Sequence, residues 1–529
     1  MPPEICWKCG TPPKPSPTLT ALLEPLPSNP SPAMTRLLTS NDIPLDSDIP
    51  AIQQIIADDD HRLRALDAEI LHLQATLAQL IQKRTETAQH VREHRSIVSV
   101  VRRVPPELIC EILALSTTPH EETPPWRLGF ISRSWRHCAV GYPCLWSFLT
   151  VPAYPLKESS ITLRLSALQA QLLRCAAAPL DIHWSEVGGT SPDLRFLDLI
   201  LPHSNRWRAV SFRMTYETSV LNWLEPVRGE LDALEKLEVM NACRTNFPDV
   251  FATAPKLRHV ALPQIQVRNQ LPPPFQRTIP IPWAQITHYR GEHPVAQQLE
   301  IIQAAPNLLS CTLDLAESHS SFAFARPAHT PVTLPQLRRL GLARHSFLLD
   351  IVAPNLEEIS STDGSWATER LLPFIGRASC TLQRLALWNC GFNAALLAVL
   401  RSLPSLTSLL LGYDPRHVDD AFFSGMKLEG NTSDVCPHLT TLVYAYGVKE
   451  SDAFQDSFVL MARSRFQGNP NFRSLRLFSF IDWAKRCGYS FVPVGLAARI
   501  RSLQEEGLNV AFLGEEEAAK YRPPRRYIG

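Results

Sequence analysis

Twelve cysteines and sixteen histidines could build a metal centre or a nucleophilic site, so their spacing is tested first. Cys6 and Cys9 stand in "CWKCG", which is half of a zinc motif. A structural zinc takes four ligands, and no second CxxC follows. The pair is therefore either a free dithiol or half of a site shared by two chains. Nucleophilic and phosphate chemistry would need GxSxG, HExxH, GxxxxGK[ST] or GxGxxG. None of these occurs. Cys110 lies in an apolar helical pattern, and Cys380 and Cys390 sit at core-facing positions of a repeat. Small apolar roles suit all three. The expectation is a chain with no catalytic residue, no metal and no cofactor, whose chemistry is recognition.

Composition agrees with that class. At 529 residues the chain exceeds one ordinary core. A net charge of +1 supplies no global attraction to nucleic acid or to an acidic membrane. There are 46 prolines against 21 glycines, which suits many short elements separated by turns. The first residues carry no apolar signal region, and no apolar run approaches a membrane span. Reduced thiols in cytoplasm or nucleus are expected.

Recognition needs a surface, and a repeat provides one. The phrase apolar-x-x-apolar-x-apolar reads "LEKLEV" at 234, "LRHVAL" at 257, "ITHYRG" at 286 and "LLSCTL" at 308. It continues as "LRRLGL" at 337, "LEEIS" at 356, "LQRLAL" at 382, "LTSLLL" at 406, "LTTLVY" at 439 and "FRSLRL" at 472. Intervals run from 19 to 33 residues, often with "AP", "LP" or "CP" just before. Helix-like stretches such as "VAQQLEIIQAA" and "NAALLAVLRSL" lie between. "APLDIHW" at 178 and "NRWRAVSF" at 205 are degenerate members. Strand and helix alternating at this period predict an α/β solenoid of the leucine-rich-repeat kind. Alternate strand residues then form an outward ladder. It carries Lys236, Glu238, His259, His288, Arg290, Arg339, Glu358, Arg384 and Arg476, with Ser310, Thr312, Ser408 and Thr441 in the gaps. Five cations against two anions suit a target protein with an acidic patch. An ordinary solvated strand face is the alternative.

Ahead of the repeat, Ile52, Ile56, Leu63, Leu66, Ile70, Leu73, Leu77 and Leu80 recur at heptad spacing, with one slot missed at Asp59. That is a coiled-coil pattern. A homodimer through this helix, or the helix laid on the chain's own body, would satisfy it. "VPPELICEIL" follows at 104–113. Proline suits the first helical turn, and Leu108, Ile112 and Leu115 fall on one face, with Ile109 and Leu113 beside them. A second helix is expected to carry Leu128, Ile131, Trp135 and Cys138 or Ala139. "YPCLW" then places Leu145 and Trp146 after a turn.

Residues 104–148 resemble the F-box, with a Leu-Pro-like opening, an apolar helix, a central Trp and a closing "LW". In particular the chain resembles the F-box-like proteins of mushroom-forming fungi, in which a heptad helix precedes the box. "LLTSNDIPLDSDIPAI" and "RRVPPE" are similar to that family's lead-in and link. Val104 stands where the family has Leu, and "LGFISRSW" departs from its usual second-helix pattern. The resemblance implies binding to the Skp adaptor of a cullin ubiquitin ligase. Its contacts would be Pro105, Leu108, Ile109, Ile112, Leu113, Ile131, Trp135, Leu145 and Trp146. The chain would then be the ligase's substrate-recognition subunit. A repeat scaffold without ligase coupling is the alternative. The expected plan is a disordered tail at 1–48, the heptad helix at 49–98 and an all-α F-box-like module at 99–150. The solenoid would fill 151–500, and 501–529 would be a C-terminal tail.

Overall fold

The computed structural model describes residues 23–25, 31–116, 125–152, 158–186, 193–213, 220–240, 248–263, 280–293, 295–314, 331–342, 345–362, 367–418, 421–428, 435–446, 452–469, 471–479, 494–513 and 517. Cys6, Cys9 and the side chain of Leu128 lie outside them, as does nearly all of 514–529. The chain forms two units, Met1–Pro105 and Pro106–Gly529.

In the first unit, part of the expected tail is helical. Helix α1 spans Pro32–Thr39. Ser31 caps it by accepting from the Met34 N–H at 3.3 Å, and Pro32 occupies the first turn. Helix α2, Ile49–Ile97, runs for 49 residues without a single buried side chain. At 1.5 Å per residue it is about 74 Å long. Its polar faces hold i,i+4 pairs such as Gln54–Asp58 at 2.9 Å. The heptad residues form an uncovered stripe, in which Ile52 and Leu66 are half-buried and the other six exposed. Val104 ends the following 3-10 turn in extended geometry (φ −66°, ψ 127°). Pro105 enforces this, because its ring excludes a helical conformation one residue earlier.

The second unit opens with α3, Pro106–Ser116, and α4, Arg133–Gly141. Helix α4 begins later than expected, because Ser132 caps it by accepting from the Trp135 N–H at 3.2 Å. Ile131 therefore precedes the helix. Tyr142 is extended ahead of Pro143, and a short 3-10 turn, Pro143–Trp146, follows.

A 14-stranded sheet fills the rest. Its strands are β1 Phe148–Pro152, β2 Leu180–Ser185, β3 Trp207–Arg213, β4 Lys236–Met240 and β5 His259–Leu262. Next come β6 His288–Glu292, β7 Ser310–Asp314, β8 Arg339–Leu342, β9 Glu358–Ser361 and β10 Arg384–Phe392. The last are β11 Ser408–Val418, β12 Thr441–Tyr446, β13 Ser474–Ser479 and β14 Asn509–Phe512. Each strand lies beside its successor, and every pair is parallel. Two short strands, Val332–Thr333 and Ile351–Val352, pair separately.

Parallel neighbours need crossovers, and the connections supply them. Helices α5 Glu158–Arg174 and α6 Leu194–Ile200 serve the first strands, and α7 Val295–Ala304 joins β6 to β7. Helices α8 Ala367–Ala378, α9 Ala394–Arg401, α10 Phe422–Gly425, α11 Asp452–Gly468 and α12 Val494–Glu505 serve β9 to β14. Where the interval is short, a 3-10 turn such as Asp249–Phe251 suffices. All ten phrases became strands. Their first apolar residues, from Leu234 and Leu257 to Leu439 and Phe472, are buried. The prolines ahead of them have a defined place. In Ala254–Leu257 the Leu257 N–H donates to the Ala254 carbonyl at 3.4 Å, with Pro255 second in the turn. Leu356 and Leu439 repeat that bond to Ala353 and Cys436. Proline's fixed φ favours this position.

The sheet exceeds its expected limits at both ends. β1 begins inside the stretch assigned to the helical module, and β14 lies in the supposed tail. The first edge is covered, because Gln171 of α5 donates to the Trp146 and Phe148 carbonyls at 3.1 and 2.8 Å. An exposed strand edge invites unwanted pairing, and this contact blunts it.

One glycine fixes the middle of the sheet. A Cβ on Gly291 would stand 1.9 Å from Tyr289 Oη and 2.8 Å from Gln298 Oε1. Those two atoms bond each other at 3.2 Å, and Gln298 also donates to the Gly291 and Asp314 carbonyls. Gly291→Ala should cost about 2 kcal/mol through overpacking. Urea unfolding checks this, and an unchanged midpoint would sink it.

Candidate binding surfaces

Helix α3 is apolar on both sides. Inward, Ile109 and Leu113 are 2% and 0% exposed. They join Cys138, Ala139, Leu145 and Trp146 in a closed core. Trp146 is fixed on several sides. Its Nε1 donates to the Ala139 carbonyl at 2.7 Å, and its own carbonyl accepts from Gln171 and from Cys175 Sγ. The Arg174 guanidinium lies over its ring at 4.5 Å. Burial pushes the Cys110 thiol up, and the neighbouring Cys138 adds to the effect.

Outward, Leu108 and Ile112 are 55% and 44% exposed, and Leu115 lies one turn on. Phe130, Ile131 and Val140 are exposed as well. The nine residues expected to touch an adaptor therefore divide. Leu108, Ile112 and Ile131 are available in this unit, and Trp135 is half-buried. Pro105, the last residue of the first unit, is exposed. Ile109, Leu113, Leu145 and Trp146 are core residues, because their side of the module is filled by the module itself. Phe130 and Val140 were missed. Phe130 lies just ahead of the Ser132 cap that starts α4. A helix apolar all round normally has both faces covered, so the outer face of α3 has the character of an interface.

The second surface is the outward ladder. Strand pairing aligns Lys236, His259, His288, Ser310, Arg339, Glu358, Arg384, Ser408, Thr441 and Ser474 in one row. The next row includes Ser211, Glu238, Ala261, Arg290, Thr312 and Gly341. A cavity of about 980 Å³ opens over the first seven strands and includes Lys236, His259, His288, Arg290, Ser310 and Thr312. Asp181, His183, Ser211 and Arg213 from β2 and β3, with Arg164 and Gln171 from α5, also line it. The four strand residues were missed because β2 and β3 depart from the repeated phrase. Their alternation in "LDIHWS" was the available signal.

The ladder's charges are not equivalent. Glu358 pairs with Arg384 on the next strand at 2.9 Å, and Arg476 donates to Asn509 Oδ1 at 3.1 Å. Asp181 receives a two-pronged bond from Arg208 at 2.9 and 2.6 Å, and Glu238 accepts from Ser211 at 3.2 Å. Lys236, Arg290 and Arg339 have no carboxylate partner among the described residues. The His259 and His288 rings stack at 4.2 Å with an interplanar angle of 16°. Burial lowers both pKa values, and neighbouring cations lower them further.

Burial pushes the Cys311 thiol up and the Cys436 thiol up to about 11. No cluster of three or more His, Cys, Asp and Glu side chains able to hold a metal occurs among the described residues. No described helix is long and apolar enough to cross a membrane. Comparison with protein-family models and with curated proteins returns no match for this chain.

Proposed function

We propose that the chain is the substrate-recognition subunit of a cullin-type ubiquitin ligase, working in cytoplasm or nucleus. Its F-box-like module, α3, α4 and the Pro143–Trp146 turn, would dock a Skp-type adaptor. Its sheet would be a leucine-rich-repeat-like solenoid holding a target protein on the outward ladder. The observation that carries this is the two-sided helix α3. Its inner side is closed by Leu145 and Trp146, while Leu108, Ile112 and Leu115 stay uncovered. Burying such side chains is worth about 1.5–3 kcal/mol each, enough for a specific contact. Support also comes from Trp146, whose bonds to Gln171 and Cys175 tie the module to the first edge of the sheet. A receptor needs that rigidity to present its target at a fixed place. Helix α2 would pair two copies as a homodimer, bringing two target sites together.

Val104, standing where the resembled family has Leu, favours a second reading as a scaffold that binds proteins without ligase coupling. Capture of purified Skp adaptor by the full chain separates the two. Leu108→Asp with Ile112→Asp should weaken capture by about tenfold or more, since each places a charge in an apolar contact, and should leave thermal unfolding unchanged because both residues are exposed. If the unsubstituted chain captures no adaptor, the scaffold reading stands.

A further inference from the structure

The unpaired charges of the ladder are grouped. Lys236, His259, His288 and Arg339 share one row across β4 to β8, with Ser310 between the last two. At about 4.8 Å per strand the row spans about 19 Å. Arg290 and Thr312 lie beside it in the next row. The floor there is low, since Ala261 and Gly341 flank those two strands. Among the described residues, the three cations have no carboxylate partner. The hydroxyls of Ser310 and Thr312 point the same way as the cations along the pleat. This face therefore offers an anion three cations and two hydroxyls beside a cavity.

The spread of the cations says what kind of anion. A single phosphate needs donors converging on one point, whereas these follow a line of about 19 Å. A linear polyanion fits better. Nucleic acid is one, but single strands are held by aromatic platforms that alternate with cations. Here the two imidazoles spend their inner faces on each other. Glu238 and Asp181 also line the same cavity and would repel a backbone charged at every residue. A peptide can place a neutral or basic residue against them.

We infer that the row from Lys236 to Arg339 binds an extended acidic peptide segment, with carboxylates on Lys236, Arg290 and Arg339 and across the stacked His259 and His288. This deepens the receptor proposal, resting on it only for the segment's belonging to a target protein. The histidines make the contact sensitive to pH. His259 is faced by Lys236, Glu235 and His288, and His288 by His259, Arg339 and Lys236. Burial and the neighbouring cations lower both pKa values from the ordinary imidazole range, which favours the neutral rings in the free chain. Bound carboxylates favour the protonated rings, so binding takes up protons and tightens as pH falls.

The test uses the full chain and a fluorescent peptide of alternating glutamate and glycine, followed by anisotropy. The comparison probes are its glutamine–glycine counterpart and a single-stranded oligonucleotide of equal charge. The glutamate peptide should bind best, about fivefold tighter near pH 5.5 than near pH 7.5. Arg290→Gln with Arg339→Gln should weaken it about tenfold. His259→Asn with His288→Asn should remove the pH dependence. Lys236→Met, at an exposed position, should give a smaller loss with no change in melting, which separates lost contacts from misfolding. No binding, equal binding of the glutamine peptide, tighter binding of the oligonucleotide, or a pH trend that survives the histidine changes would each overturn the inference. Adaptor capture is a separate readout, so loss of the receptor proposal and loss of this site are distinguishable.

Discussion

Arg465→Met should destabilise the C-terminal end of the sheet by about 3 kcal/mol, because it removes three charge-assisted hydrogen bonds to buried carbonyls at once. Arg465 sits on α11 and is 0% exposed. Its Nε donates to the Met426 carbonyl at 2.9 Å, Nη1 to that of Cys436 at 3.1 Å and Nη2 to that of Val435 at 2.7 Å. One turn later, Asn469 donates to the Pro437 and Leu439 carbonyls at 3.1 and 3.3 Å. Together they hold the turn that launches β12. Cys436 within it has a positive φ of 45°, strained for a side chain of its kind. Burial lowers the Arg465 pKa, so the cation is kept at a cost. Carbonyl dipoles offset that cost only while all three bonds hold. Methionine keeps much of the volume and removes every donor. Lysine keeps the charge but loses the planar fork, so Arg465→Lys should fall between. Hydrogen exchange over 435–446 reads the effect where it arises, and urea unfolding gives its size. Protection in Arg465→Met equal to that of the unsubstituted chain would refute the assignment.

Arg465 also marks a limit of legibility. In "MARSRFQGNP" it reads as one more charged residue on a solvated helix face, and no periodicity sets it apart. Its partners lie 29 to 39 residues earlier, at the end of α10 and in the turn before β12, which local pattern does not bring together. The strands were legible for the opposite reason. "LRHVAL" and "LRRLGL" repeat one burial rule, and each copy supports the next. β14 escaped because "LNVAF" holds too little of the phrase and no proline turn precedes it. The ladder residues were legible as a row. That Glu358 and Arg384 would satisfy each other follows only from register. On α3 the limit was symmetry. Leu108, Ile109, Ile112 and Leu113 are chemically alike, and the packing of α3 on α4 and the Pro143–Trp146 turn decides which of them face inward.

The same logic applies to α2, where six of the eight stripe residues are exposed and none is buried. A 3.5-residue repeat on a straight helix drifts, and it becomes a continuous seam only when two helices supercoil. In heptad terms Ile56, Leu63, Ile70 and Leu77 take the a positions, and Leu66, Leu73 and Leu80 the d positions, with Asp59 in the d slot between Ile52 and Leu66. The a positions alternate Ile with Leu, and Leu fills the d positions from Leu66 onward, an apolar seam of the coiled-coil kind. Under the homodimer proposal, Leu66→Asp with Leu73→Asp puts four carboxylates into the seam of the pair. Each would exchange about 1.5–3 kcal/mol of apolar burial for a desolvated charge. The dimer should dissociate at micromolar concentration, and mass from light scattering should fall from two chains to one. The opposite change is equally informative. Asp59 interrupts the seam at its polar d position, a device that fixes register while lowering affinity. Asp59→Leu should therefore tighten association by about tenfold or more, as two buried leucines replace two carboxylates. Leu108 and the ladder are untouched by either substitution, so adaptor capture and peptide binding per chain should not change. A single-chain mass for the unsubstituted protein at all concentrations, or an unchanged mass in Leu66→Asp with Leu73→Asp, would remove the seam from the account.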